Sequence, residues 1–146
     1  MRVFIGGSRS LTSVGPAAVA LLKLHMAAGD RFLIGDADGV DRMVQTYLAE
    51  KGYRNVTIFC TGKKSRWNVG GWMEQWIVST AKPNSREWYT AKDEWMTKEA
   101  DKAVMVWDGM SKGTKANIDR LQGLGIPYLV LSEFDGHGCT IPNQGE

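Results

Sequence analysis

Three short apolar runs each break on glycine and then give way to a helical segment. This recurring unit constrains the chain more than any other feature. Arg2 to Ile5 (RVFI) stops at Gly6-Gly7-Ser8-Arg9, Arg31 to Ile34 (RFLI) at Gly35-Asp36-Ala37-Asp38-Gly39, and Ala103 to Trp107 (AVMVW) at Asp108-Gly109. A short unbroken apolar run fits a strand covered on both faces, as in a parallel sheet. Strands that alternate with helices need right-handed crossovers between them. The expected fold is α/β, a Rossmann-like three-layer sandwich with a mostly parallel sheet of about five strands.

The rest of the chain fills in this scheme. Val14 to Ala28 reads as the first helix, with Ser13 as N-cap, Pro16 in the first turn and Gly29 as stop. Val40 to Lys51 is the second helix, and Asn55 to Cys60 the third strand. Residues 61–89 interrupt the rhythm as a Trp-rich insertion, with a short helix expected over Trp72 to Ser79. A segment of that length within a compact domain is more often functional than idle. Ser85 or Thr90 can cap a helix reaching about Glu99. Lys115 to Leu124 forms the next helix, and Tyr128 to Leu131 the last strand. The domain is expected over residues 1–132. The polar tail 133–146, with His137 and Cys139, is expected to be loosely held.

With 146 residues, 43% of them apolar and 23% charged, the chain suits one soluble domain. It has no run of about 20 apolar residues to span a bilayer, and MRVFIGG leaves no room for a signal peptide. Cys60 and Cys139 fit no metal spacing. The expectation is a cytoplasmic protein with reduced thiols. A net charge of +2 is too small to argue for duplex DNA by charge alone.

In an open parallel sheet, ligands bind beyond the carboxyl ends of the strands, where the strand order reverses. Three such ends carry glycines and polar groups. In the first, Gly7, Ser8 and Arg9 offer a tight turn and a two-pronged anion contact; Arg9 can equally pair with Asp36 or Asp41. In the second, Gly35 leads to Asp36, Asp38 and Asp41, which can hold a ribose hydroxyl, a Mg²⁺ ion or an acid–base proton. They can equally cap the helix and satisfy loop amides. In the third, Trp107, Asp108, Ser111, Lys112, Gly113 and Thr114 precede a helix N-terminus, whose free N–H groups suit a phosphate or carboxylate. An ordinary strand-to-helix turn with Thr114 as N-cap also satisfies that stretch.

Lys63, Lys64, Arg66 and Trp67 combine positive charge with an aromatic face. They suit a nucleotide, single-stranded nucleic acid or a tryptophan-built subunit interface. His25 and His137 have no triad partner nearby in sequence, and structural or surface roles are expected for both.

Taken together, these loops resemble the SLOG superfamily, which groups LOG-type nucleotide phosphoribohydrolases with DNA-processing and nucleotide-sensing Rossmann-like domains. The nearest look is to its small bacterial and phage members. The matching pieces are Gly7-Ser8-Arg9, GDADGVDR from Gly35 to Arg42, Lys92-Asp93 with Met96 and Asp101, WDGMSKGT with Asn117, and Thr61-Gly62 to Trp72 with Arg66, Asn68 and Gly70. The resemblance implies a nucleotide-derived ligand, with phosphate on Gly113-Thr114 and ribose or base near Gly7 to Arg9 and Asp36. LOG enzymes carry a glutamate shortly after the Gly-Thr pair, and here Lys115, Ala116, Asn117, Ile118 and Asp119 follow. N-glycosidic cleavage would therefore fall to another carboxylate, Asp36, Asp38, Asp93 or Glu94, with Asp36 and Asp93 the chosen candidates. The expected partners are a small-molecule nucleotide and further copies of the chain, with no membrane. No cofactor beyond Mg²⁺ is suggested.

Overall fold

The computed structural model describes residues 1–135 and contains six strands and four helices within that range. In chain order they are β1 (Arg2–Gly7), α1 (Pro16–Ala27), β2 (Arg31–Gly35), α2 (Val40–Glu50), β3 (Val56–Thr61), β4 (Met73–Ile77), α3 (Arg86–Glu99), β5 (Lys102–Val106), α4 (Lys112–Leu124) and β6 (Tyr128–Leu131). All strand pairs are parallel, in the order β4-β3-β2-β1-β5-β6. This is the Rossmann-like sandwich expected, with one strand more than about five.

Alternation along the strands divides the core in two. On one face Val3, Ile5 and Ile34 pack with Ala18 and Leu22 of α1 and Val44 and Leu48 of α2. On the other face Phe4, Leu33 and Phe59 pack with Met96 of α3 and Leu121 of α4. Each such side chain contributes about 1.5–3 kcal/mol when fully buried, so the two layers clamp the sheet and hold its loops in place. Among the described residues, no helix is long and apolar enough to cross a membrane.

The extra strand is the main correction to the sequence reading. The helix expected over Trp72 to Ser79 is β4, an edge strand paired to β3 from Thr57↔Met73 to Thr61↔Ile77. Aromatic and β-branched residues there fit a pleated edge. Trp72 is 4% exposed, joins the α1/α2-side core, and donates its indole N–H to the Tyr53 carbonyl at 2.9 Å. It anchors the helix-free connection between β3 and β4.

Two caps also differ. Gly15, not Ser13, is the N-cap of α1, and the Ser13 hydroxyl accepts instead from the Gly15 N–H at 3.2 Å. Ser111 rather than Thr114 precedes α4, which starts three residues earlier than expected. Ser85 does cap α3, accepting from the Trp88 N–H. At the start of the expected tail, the Asp135 carbonyl accepts from the Ala17 N–H at 2.9 Å at the head of α1. His137 and Cys139 lie outside the described residues. His25 is buried and bonds Asp30 at 2.8 Å through Nδ1, and Asp30 also takes the N-terminal ammonium at 2.7 Å. Its role is structural.

Candidate functional site

β1 and β5 are neighbours in the sheet, and the chain winds outward from them in both directions. Their carboxyl ends therefore mark the switch point where a crevice is expected. A cleft of about 670 Å³ opens there. Its walls come from Gly7 and Arg9 after β1, Ala37 and Asp41 after β2, Asp108 and Ser111–Thr114 after β5, and one face of α3. A cleft of this volume suits a ligand of nucleotide size.

The β1 and β5 loops are joined by short hydrogen bonds. Ser8 is 1% exposed; its Oγ lies 2.7 Å from Ser111 Oγ and accepts from the Asp108 N–H at 3.1 Å. Asp108 Oδ2 accepts from the Ser10 hydroxyl at 2.6 Å, and Oδ1 from the Ser111 and Met110 amides at 2.7 and 2.8 Å. The Ser10 hydroxyl, then those two amides, hold this carboxyl well below the usual carboxylate range. The Trp107 indole N–H donates to the Ser111 carbonyl at 3.0 Å. Ser8, Trp107 and Asp108 thus shape the loop. A side chain at Gly7 would run into the Val106 carbonyl and Val40, so only glycine lets β1 lie this close to β5. Gly39, at φ +75°, gives the same close approach to the Arg9 backbone.

One consequence bears on chemistry. The Ser111 hydroxyl faces Ser8 and does not cap α4. The first helical bond runs from the Lys115 N–H to the Ser111 carbonyl. The N–H groups of Lys112, Gly113 and Thr114 lie outside that ladder, at the positive end of the helix dipole and on the cleft wall. Arg9, Arg86 and Lys112 also line the cleft, and none forms an ion pair among the described residues. The pairing of Arg9 with Asp36 or Asp41 does not occur. Asn117, 7% exposed, reaches the same wall and accepts from Arg120 at 2.7 Å.

The acidic loop is organised differently from the sequence reading. Asp36 is 3% exposed, and both its oxygens are held by Arg66: Nη2 at 2.8 Å, Nε at 3.3 Å and the backbone N–H at 2.9 Å. Burial disfavours the charge on Arg66, but the hydrogen bonds and attraction to Asp36 outweigh it and raise its pKa. Asp36 does not line the cleft, and neither does Gly35, whose carbonyl accepts from Gln45 at 2.9 Å. Asp38 accepts from the Trp67 indole at 2.7 Å. Asp41 does line the cleft. It is 8% exposed and accepts from the Ala37 N–H at 3.1 Å. Burial pushes its carboxyl up to about 7, against the pull of Lys92 and with a smaller push from the Asp93 charge. The three carboxylates serve separate partners, and among the described residues no group of three or more His, Cys, Asp or Glu side chains could hold a metal ion.

Lys92, quoted above only as part of a motif, lies on the cleft wall contributed by α3. It is 4% exposed, donates to the Tyr89 carbonyl at 2.9 Å, and lies 3.5 Å from Asp93 and 3.9 Å from Asp36. Tyr89, Lys92, Asp93 and Met96 are all on the cleft wall, at i, i+3, i+4 and i+7 of one helix face. That spacing was the available signal. The Lys63, Lys64, Arg66 and Trp67 patch divides. Arg66 joins the cleft, Trp67 lies under the Arg42 guanidinium at 3.9 Å, and Lys63 lines a separate hollow with Trp76 and Trp88.

No protein-family model matches this chain, and no curated protein matches it. Among solved structures, it is similar to DNA processing protein A from Helicobacter pylori, reported for its single-stranded DNA binding mode, with a TM-score of 0.68 and 16% identity. The match covers 89% of this chain and 64% of that one, so the chain spans less than two thirds of that protein. At this identity the likeness is one of fold.

Proposed function

We propose that the chain binds a nucleotide or nucleotide-derived ligand, such as a nucleoside phosphate or an ADP-ribose-like compound, and acts as a sensor or sequestering protein. The observation that carries this reading is the anion seat at the switch point. The head of α4, whose first N–H groups lie outside the helical ladder, lines one cleft together with Arg9 and Lys112, which form no ion pair among the described residues. Backbone amides and a helix dipole together favour a phosphate. The SLOG-like loop motifs support the same assignment, to that superfamily's small bacterial and phage subgroup. Exposed Met73, Trp76 and Val78 at and beside the β4 edge support a homo-oligomer. The hollow formed by Lys63, Trp76 and Trp88 supports single-stranded nucleic acid as an alternative partner.

Titration calorimetry with AMP, ADP-ribose, NAD and a cyclic nucleotide tests the reading. At least one should bind, and Arg9→Ala should weaken it about tenfold or more. Gly113→Glu provides a control, because a Cβ there meets no atom within 4 Å and the substitution brings a carboxylate to the seat. It should fold and fail to bind. Silence across all four ligands would sink the proposal.

A second reading is hydrolysis of a nucleotide N-glycosidic bond, favoured by one observation. Asp41 is a cleft carboxyl poised near neutrality, where a general acid or base works best. It suits that task better than Asp36, whose oxygens are committed to Arg66. Free base released from a nucleoside monophosphate by the native chain, and not by Asp41→Asn, would establish it.

A further inference from the structure

The anion seat uses only part of the cleft lining. A different wall carries an arrangement that the loop motifs do not explain. The Arg66 guanidinium lies over the Tyr89 ring, 4.2 Å from its centroid, and both residues line the cleft. Each is fixed from behind. Asp36 grips Arg66 with both oxygens and is itself buried, so the plane of the guanidinium is set. The Tyr89 hydroxyl donates to Asn84 Oδ1 at 2.9 Å, and the Trp88 ring meets Tyr89 edge-to-face at 5.0 Å and 83°. Asn84 holds the one positive φ of any described non-glycine residue, +66°, which places its side chain against Tyr89 and on the cleft wall. Asparagine tolerates this conformation better than most residues.

A solvent-facing cation needs none of this support. A planar cation stacked on an aromatic ring and locked by a buried carboxylate is a rigid, flat, electron-poor surface. Nucleobases stack on such surfaces whatever their sequence, because every base has a π-face. Pre-set geometry also spares the ordering cost of binding.

We infer that the Arg66–Tyr89 pair is the base platform of the cleft, so that a nucleoside phosphate lies with its phosphate at the head of α4 and its base on this pair. This rests on the nucleotide reading above and refines it. It moves the base from Gly7–Arg9, one of the places the family resemblance gave it, to the Arg66 guanidinium that Asp36 holds. It also gives part of the Trp-rich insertion and the first turn of α3 one purpose, which is to tell a nucleotide from a bare sugar phosphate.

The test compares AMP and UMP with ribose 5-phosphate by titration calorimetry. The native chain should bind both nucleotides about tenfold or more tighter than ribose 5-phosphate, in line with the stacking energy of one base. Tyr89→Leu keeps bulk but loses the π-face. It should erase that gap and leave ribose 5-phosphate unchanged, while Tyr89→Phe should keep the gap. Binding of ribose 5-phosphate also shows that the leucine variant folds; if it does not fold, Tyr89→Met serves in its place. Equal native affinities for nucleotide and sugar phosphate would overturn this inference and leave the anion seat standing. So would a gap that survives Tyr89→Leu, or a loss of both ligands together in the folded variant. If the native chain binds none of the three, the nucleotide reading falls and this inference with it.

Discussion

The Asp41 carboxyl makes a quantitative demand on the stability of the fold. Its ordinary value of 3.8 is pushed to about 7 in the folded chain. The first cause is burial between the β2 loop and α3; the Lys92 charge opposes it, and the Asp93 and Asp36 charges add to it. A carboxyl with a raised folded pKa holds its proton after the unfolded chain has released it. Between pH 4 and 7 the folded state binds the extra proton, so stability falls as pH rises through that window and levels off above it. At about 1.4 kcal/mol per pH unit, the roughly three-unit interval corresponds to at most about 4 kcal/mol. Asp41→Asn keeps an oxygen for the Ala37 N–H and cannot ionise. Urea unfolding of both proteins at pH 4, 5, 6, 7 and 8 reads the difference directly. The asparagine variant should gain on the native chain by about 2–4 kcal/mol from pH 4 to pH 8, with equal m-values. Carboxylates held below the usual range, such as Asp30 and Glu74, act in the opposite sense below about pH 4 and cancel in the comparison. Parallel stability curves for the two proteins would refute the burial argument and remove the case for Asp41 as an acid–base group.

Two further outcomes follow from the packing. Gly7→Ala places a methyl against the Val106 carbonyl and Val40, so it should cost about 3 kcal/mol or more, or abolish folding, in urea or thermal unfolding; near-native stability would show that β1 can move away from β5. Cys60 is fully buried, and burial, then the Asp36 and Glu74 charges, push its thiol to about 11. In a Cys139→Ser background it should therefore stay unreactive toward a disulfide reagent until the protein unfolds, and fast reaction at neutral pH would contradict the packing of β3.

The parts that were legible in the sequence are those set by local pattern. Apolar runs ending on glycine located β1, β2 and β5, and the sheet order then brings the loops after β1 and β5 side by side. What was missed depends on long-range contact. Residues 72–79 carry helix-compatible spacing, but β3 offers an open edge, and pairing with it makes that segment a strand. Thr114 has the chemistry of an N-cap, yet α4 begins earlier because Asp108 gathers the Met110 and Ser111 amides into a turn. Asp36 reads as a free carboxylate beside two others until Arg66, thirty residues on, claims both of its oxygens.

The carboxylates make the same point about the site as a whole. Asp36, Asp38 and Asp41 look alike in sequence, and the fold gives them three fates. Asp38 receives an indole N–H, Asp36 receives a guanidinium, and Asp41 receives one amide and little else. Only the third is left under-compensated in a buried place, and a folded chain tolerates that cost chiefly at functional sites. The cations show the converse. Arg66 and Lys92 line the cleft but are paired with Asp36 and Asp93, while Arg9 and Lys112 line it with no ion pair among the described residues. Positive groups without an ion pair among the described residues, a guanidinium over a tyrosine ring and one reluctant carboxylate make the lining of the cleft asymmetric. Such a cleft has a preferred direction for a ligand that is anionic at one end and flat at the other, and a symmetric anion such as sulfate would use only part of it.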